Sequence, residues 1–199
     1  MRWRQGTPLR VETARFRLRS LTPADATETY VKWWNDPEIQ DGLNSAPHGW
    51  GRQRARRHIA QFDNKQKFHL GIFCKESLEM IGFFAIFITP HTKVAKTNIV
   101  IGEKQYWGKR LVLEVRHAML SLLFDSWGIE KVKGEIMGRN LPSIFNYKAL
   151  GFTCEGILRN EVPHYKGGRA DTYIFGLLRE EWEAMKAKAA TTEETVYEH

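Results

Sequence analysis

Two segments of the chain combine residue types and spacings that can do chemistry. The first runs Thr97-Asn-Ile-Val-Ile-Gly-Glu-Lys-Gln-Tyr-Trp-Gly-Lys-Arg110: a strand-like start, then turn residues, then the opening of a helical pattern. A strand–turn–helix junction presents unpaired backbone N–H groups and the positive end of a helix dipole, which together make an anion site. Lys104, Lys109 and Arg110 crowd that end. Cations there oppose the dipole, and they make sense if a phosphate sits among them. An ordinary connection with a solvated basic turn is the other reading. The second segment is Asn140-Leu-Pro-Ser143-Ile-Phe-Asn-Tyr147-Lys-Ala-Leu-Gly151-Phe152. Asn140 suits a helix N-cap with Pro142 in the first turn, and Gly151 suits its end. Ser143 and Tyr147 are four apart, so their hydroxyls share one helix face.

The elements around these segments read as a mixed α/β chain. Residues 14–20 alternate apolar Phe16 and Leu18 with three arginines, the pattern of a half-buried strand. Thr22-Pro23 opens a helix, with Thr22 as N-cap, that carries Tyr30, Val31, Trp33 and Trp34 and stops at Asn35-Asp36-Pro37. Residues 52–63 suit a second helix, and strand-like runs follow at 67–74, 79–88 and 96–103. The middle run is apolar throughout, as in a central strand buried on both faces. A helical pattern covers 109–127, with Leu111, Val115, Ala118, Leu122 and Phe124 near one stripe and Gly128 as its stop. Strand 130–137, helix 141–150, strands 152–158 and 170–178 and a helix over 180–190 complete the chain. No linker interrupts it, so residues 1–190 are expected to form one domain, with 191–199 as a frayed polar end.

Composition excludes several classes. A chain of 199 residues with 42% hydrophobic and 27% charged residues can bury a core without staples. Cys74 and Cys154 fit no metal-ligand spacing and no disulfide framework, so no metal is expected. The longest apolar run, Met80 to Ile88, is about half the length of a membrane span. The start MRWRQGTPLR carries charge with no apolar stretch behind it, unlike a secretory signal. The expectation is a cytoplasmic, reduced protein. The net charge is +7, and residues 1–190 carry thirty Lys and Arg against twenty Asp and Glu. Such a body favours anionic partners. The run Gly51-Arg-Gln-Arg-Ala-Arg-Arg-His58 reads as a solvated helix face, or as a surface for an acidic substrate. Seven tryptophans among basic residues can stack on nucleic acid, but most fall at apolar positions and are read as core. No nucleic-acid-binding motif accompanies them, and a nucleic-acid partner is not expected.

Taken in order, the two segments resemble the GNAT superfamily of N-acetyltransferases. Its signature is a strand, Gln/Arg-x-x-Gly-x-Gly/Ala opening a long helix, another strand, then Asn-x-x-Ser/Ala-x-x-x-Tyr-x-x-x-Gly-Phe. Gln105-Tyr-Trp-Gly108-Lys-Arg110 and Asn140 to Phe152 are similar to these. Thr13-Ala-Arg-Phe-Arg-Leu-Arg19, Thr22-Pro-Ala-Asp25, Trp34-Asn-Asp-Pro-Glu38 and Glu155-Gly-Ile-Leu-Arg159 resemble the branch that includes ribosomal-protein N-terminal alanine acetyltransferases. The resemblance implies a single GNAT domain. Its mixed, mostly antiparallel sheet would have about seven strands, helices on both faces, and strands 97–103 and 130–137 splayed.

It also implies acetyl transfer from acetyl-CoA to a primary amine by direct attack. The pyrophosphate would lie on the amides of Trp107, Gly108, Lys109 and Arg110, after Gln105. The pantetheine arm would run beside Ile99, Val100 and Ile101 and touch Asn140. Tyr147 would protonate the leaving thiolate, with Ser143 as second candidate. The attacking amine is mostly protonated at pH 7, so a base or water relay is needed. Glu161, in the loop after Glu155-Gly156, is the preferred base, with Glu103, His91 and His164 as alternatives. Monomer and homodimer stay open.

The chain departs from its relatives in the phosphate turn. They commonly read Tyr-Trp-Gly-Lys-Gly-Tyr-Gly where this chain has Tyr106-Trp-Gly-Lys-Arg-Leu-Val112. Arg110 can add charge toward phosphate or obstruct its approach. A catalytically degenerate GNAT-fold protein that binds acyl-CoA or a partner is therefore the alternative to an enzyme.

Overall fold

The structure, a computed structural model, describes residues 4–45, 49–164 and 166–196. Among these residues eight strands form one sheet in the order β1-β2-β3-β4-β5-β6-β8-β7. They are β1 (Arg10–Glu12), β2 (Phe16–Ser20), β3 (Lys67–Cys74), β4 (Met80–Thr89), β5 (Val94–Ile101), β6 (Lys131–Met137), β7 (Thr153–Pro163) and β8 (Arg169–Leu178). The eighth strand is the three-residue β1, too short to leave a periodic signal. All neighbours are antiparallel except β5 and β6. Those two are joined by a long crossover containing a helix, the usual connection between parallel strands.

Among the described residues six α-helices cover the sheet. On one face lie α1 (Glu28–Asn35), α2 (Pro37–Gly42) and α3 (Arg52–Ile59), whose Tyr30, Val31, Trp33, Ile39, Ala55 and Ile59 pack with Phe83 and Val100. On the other lie α4 (Leu111–Ser121), α5 (Leu141–Ala149) and α6 (Arg179–Val196). There Leu111, Val115, Met119, Leu120, Tyr147 and Trp182 pack with Leu70, Phe84, Ile86, Val132 and Phe175. Each fully buried side chain of this size stabilises the fold by about 1.5–3 kcal/mol. Trp33 and Trp182 are 2% and 1% exposed, so both are core residues.

Several local expectations shift. The Thr22-Pro23 start is a single 3-10 turn over Pro23–Asp25, not the beginning of α1. The Asp25 carboxylate accepts from the Thr22 backbone N–H (2.8 Å) and pairs with Arg19 (2.6 Å), and Ala26 then leaves helical geometry. The helix begins afresh at Glu28, with Thr27 Oγ1 accepting from the Tyr30 N–H. Asp36 both stops α1 and caps α2, its Oδ1 accepting from Glu38 and Ile39. The 109–127 pattern divides into α4 and a π turn over Leu122–Ser126, and the buried stripe uses Met119, Leu120 and Leu123 rather than Ala118 and Leu122. The helix α6 carries helical backbone to Val196, six residues into the end expected to fray, and 197–199 lie outside the described residues.

Candidate active site

Strands β5 and β6 pair only through Val94–Lys96 and Lys131–Lys133, and past those residues the ladder stops. The resulting split opens a cleft of about 510 Å³. Its walls come from Asn98 and Ile99 of β5, Glu135 and Met137 of β6, Arg116 of α4, Asn140, Ser143 and Tyr147 at α5, and Leu158, Glu161 and Thr172 of β7 and β8. Gly42 and Leu43, at the end of α2, complete it from the far side.

Tyr147 is 2% exposed. Its hydroxyl donates to the Thr97 carbonyl (3.2 Å) and accepts from Arg116 Nη1 (2.9 Å). The ring stacks on Phe175 at 5.4 Å and lies over Gly134 of β6 so closely that a Cβ there would overlap the phenol. Asn140 caps α5, its Oδ1 accepting from the Ser143 N–H (3.2 Å), while its Nδ2 donates to the Gly42 carbonyl (3.0 Å). One end of that amide caps α5 and the other ties it to α2. Ser143, half-buried, lines the cleft one turn from Tyr147.

The cofactor residues named from the sequence divide by strand alternation. Ile99 lines the cleft, and Ile99 and Ile101 pack toward α4, whereas Val100 points into the opposite core. Gln105 is exposed in a 3-10 turn over Lys104–Tyr106, and Trp107 folds back so that its indole N–H donates to the Ile101 carbonyl (2.9 Å). Gly108 adopts φ +73° and Arg110 φ +55°, both left-handed, and α4 starts at the next residue. Lys109 and Arg110 are exposed at this helix start. Lys104 is not available to an anion in the same way: Glu38 (2.7 Å) and Asp36 (2.9 Å) hold its ammonium, and those hydrogen bonds raise its pKa.

Among the candidate bases, Glu161 lines the cleft, but from within β7 rather than from a loop, because that strand runs on to Pro163 past an irregular stretch between Leu158 and Val162. Glu103 accepts from the Trp33 indole (3.0 Å), which marks it as part of the packing under α1. His164 contacts Asp41 (3.3 Å) beside the cleft, and His91 is exposed in the β4–β5 turn.

Sequence reasoning missed Arg116, Glu135 and Lys96. Glu135 pairs with Lys96 (2.6 Å) across the split, and that hydrogen bond holds its carboxyl below the ordinary range. Arg116 is 2% exposed, and its Nε has no hydrogen-bond partner, as is also true of buried Thr172 Oγ1 in the same cleft. Arginine at a position flanked by the buried Val115, Met119 and Leu120 was a legible signal, since charge is rare on a core-facing stripe. Among the described residues no cluster of potential metal ligands occurs, and no helix is long and apolar enough to cross a membrane.

Comparison with known proteins bears on the fold and the family. An uncharacterized N-acetyltransferase p20 of Bacillus licheniformis is 29% identical over 175 residues, 85% of this chain and 96% of that protein. A spermidine N-acetyltransferase from Vibrio cholerae, solved in complex with CoA and spermine, superposes with a TM-score of 0.76 at 17% identity over 85% of this chain and 98% of that one. A ribosomal-protein-S5-alanine acetyltransferase from Vibrio fischeri gives 0.70 at 17% identity over 87% and 98%. Both likenesses are of fold. Residues 15–153 match the family profile described as an acetyltransferase (GNAT) domain, and with more than half its length inside that match the chain belongs to the GNAT acetyltransferase family.

Proposed function

We propose that this protein uses acetyl-CoA to acetylate a primary amine, by direct attack of the amine on the thioester. The observation that carries the reading is the Tyr147 hydroxyl, held at the floor of a cleft that opens where β5 and β6 part. Fit is supported by the two buried polar atoms left without partners there, Arg116 Nε and Thr172 Oγ1, which a polar acyl carrier can satisfy. The pyrophosphate takes the N–H groups from Trp107 to Arg110, with Gln105 at the entrance. The pantetheine arm takes the free edge of β5 along Ile99 to Ile101 and passes Asn140. Tyr147 gives its proton to the departing sulfur, and Ser143, one turn away, is the alternative donor. Glu161 takes the amine proton from the exposed side. Glu135 is a poor base while Lys96 holds it ionised.

The acceptor is a protein N-terminus, an amino sugar or another small amine. We place the protein in the cytoplasm, as monomer or homodimer, without metal. The left-handed Arg110 in the phosphate turn favours a second reading, a degenerate domain that binds acyl-CoA or a partner without turnover. Calorimetry with acetyl-CoA, followed by thiol release with peptides, amino-sugar nucleotides and polyamines, separates the two. Micromolar binding with turnover of one acceptor supports the enzyme. Binding without any turnover supports the degenerate domain, and no binding overturns both.

A further inference from the structure

Arg116 is a buried cation without a counter-charge. Its Nη1 donates to two neutral oxygens, Thr97 Oγ1 (3.0 Å) and Tyr147 Oη (2.9 Å), and its flat face lies 4.2 Å from the centre of the Tyr147 ring. Among the described residues no carboxylate pairs with it. Glu135, which shares the cleft, is held by Lys96 and Lys133. A guanidinium cannot shed its proton, so burying it alone is costly, and the cost is offset only if an anion forms within its reach. Space filling does not account for the choice, because an apolar side chain packs between Val115 and Met119 without that cost.

We infer that Arg116 is a positioning residue for thiolate departure, acting through Tyr147 and resting on the transfer reaction proposed above. Tyr147 Oη accepts from Arg116, so its single proton is free to turn from the Thr97 carbonyl to another acceptor. When the thioester C–S bond breaks, its electron pair goes to sulfur and the Tyr147 proton follows. The phenolate left behind stays hydrogen-bonded to the Arg116 cation. The proton lost by the acylated nitrogen returns to it through Glu161 and water. A hydrogen bond from this cation strengthens further as its acceptor becomes an anion, so the stabilisation is greatest once the charge has developed.

The test compares Arg116→Met, Arg116→Lys, Tyr147→Phe and the double variant Arg116→Met/Tyr147→Phe. Arg116→Met is expected to lower kcat about 30-fold with the acetyl-CoA KM within about twofold, and to cost nothing further in the Tyr147→Phe background, since the two act as a unit. Arg116→Lys, which keeps the charge and loses the fork, retains part of the activity and carries the same comparison if Arg116→Met does not fold. An unchanged kcat in a folded variant, or losses that multiply in the double variant, overturns the proposal. So does faster turnover of succinyl-CoA than acetyl-CoA that reverses in Arg116→Met, which would assign the cation to an acyl carboxylate. A readout independent of the acceptor is the affinity of CoA against desulfo-CoA. Above the thiol pKa of about 8.5 the parent should prefer CoA, and Arg116→Met should lose that preference. A preference that Arg116→Met loses, in a parent with no turnover, would sink the proposed reaction and with it the role in departure, leaving Arg116 only as a residue that holds the bound thiolate. A parent that binds no CoA ends both.

Discussion

Tyr147 is fixed by three kinds of contact: a carbonyl that accepts its proton, a guanidinium that donates to its oxygen, and a glycine that leaves room for its ring. Phenylalanine keeps the stacking on Phe175 and removes only the proton and the hydrogen bonds. Tyr147→Phe should therefore lower kcat by about 10²-fold with acetyl-CoA affinity nearly intact. Single-turnover kinetics and calorimetry on the same sample check this, and an unchanged kcat moves the role to Ser143 or water. Gly134 gives a second handle from the opposite side. Alanine there overlaps the phenol, so the ring must swing out of register with Thr97. The overpacking should cost about 1–3 kcal/mol, a melting-temperature drop of several degrees, with a loss of kcat similar to that of Tyr147→Phe. A Gly134→Ala protein with parental kcat would show that the tyrosine need not sit where it does. The tyrosine was legible in the sequence, because an Asn cap, Pro142 and a hydroxyl pair spaced by four mark a short helix. Its partner Arg116 was passed over: the stripe was phased on Leu111, Val115, Ala118 and Leu122, whereas α4 buries Val115, Arg116, Met119 and Leu120, and that phase is set by how the helix lies on the sheet.

At the scale of elements, the start of α4 shows a conflict between backbone and side chain. Arg110 is the residue before the helix and holds φ +55°, a conformation that costs an L residue about 1–2 kcal/mol and glycine almost nothing. The charge compensates only if an anion sits on the helix N-terminus. Arg110→Gly should raise the melting temperature slightly, because the relieved strain exceeds the roughly 0.5–1 kcal/mol of added chain entropy in the unfolded state. It should also weaken acetyl-CoA binding by about 1.5–3 kcal/mol at low salt, with a smaller difference at high salt. Thermal unfolding and titrations at two ionic strengths decide both, and tighter binding by the variant reverses the assigned role of the arginine. Element types in this region were readable from Gly128, Asn140 and Gly151. Boundaries were less so: Asp25 ended a turn early by bonding back to Thr22, and β7 carried Glu161 past its expected end on pairing with β8. The first is a local hydrogen bond across three residues and the second depends on a strand partner distant in sequence, and apolar periodicity contains neither.

At the scale of the molecule, the two faces of the sheet hold different chemistry. The α4–α6 face carries the cleft and its buried arginine. The α1–α3 face is filled by rings, with Trp34 stacked on Trp50 at 4.2 Å and His69 between Phe62 (4.6 Å) and Phe83 (4.7 Å). His69 reaches Tyr30 Oη through Nε2 (3.0 Å), its Nδ1 has no partner, and burial pushes its pKa down to about 3, helped by His58. His58 moves in the same direction, through burial and the charge of Arg54. Below about pH 6.5 the unfolded chain takes up a proton at His69 that the folded chain refuses. Stability from this residue is therefore complete above that pH and is lost progressively as pH falls toward 3, at about 1.4 kcal/mol per unit. Between pH 7.5 and 5.0 the loss is about 2 kcal/mol. The paired carboxylates Asp25, Asp36 and Glu114 have lowered pKa values and titrate below that window, so they leave it almost undisturbed. His69→Phe keeps an aromatic ring against Phe62 and Phe83 and removes the titration. Urea unfolding of both proteins at the two pH values should show the parent losing about 2 kcal/mol more than the variant, and equal losses would mean that His69 is protonated in the folded state as readily as in water.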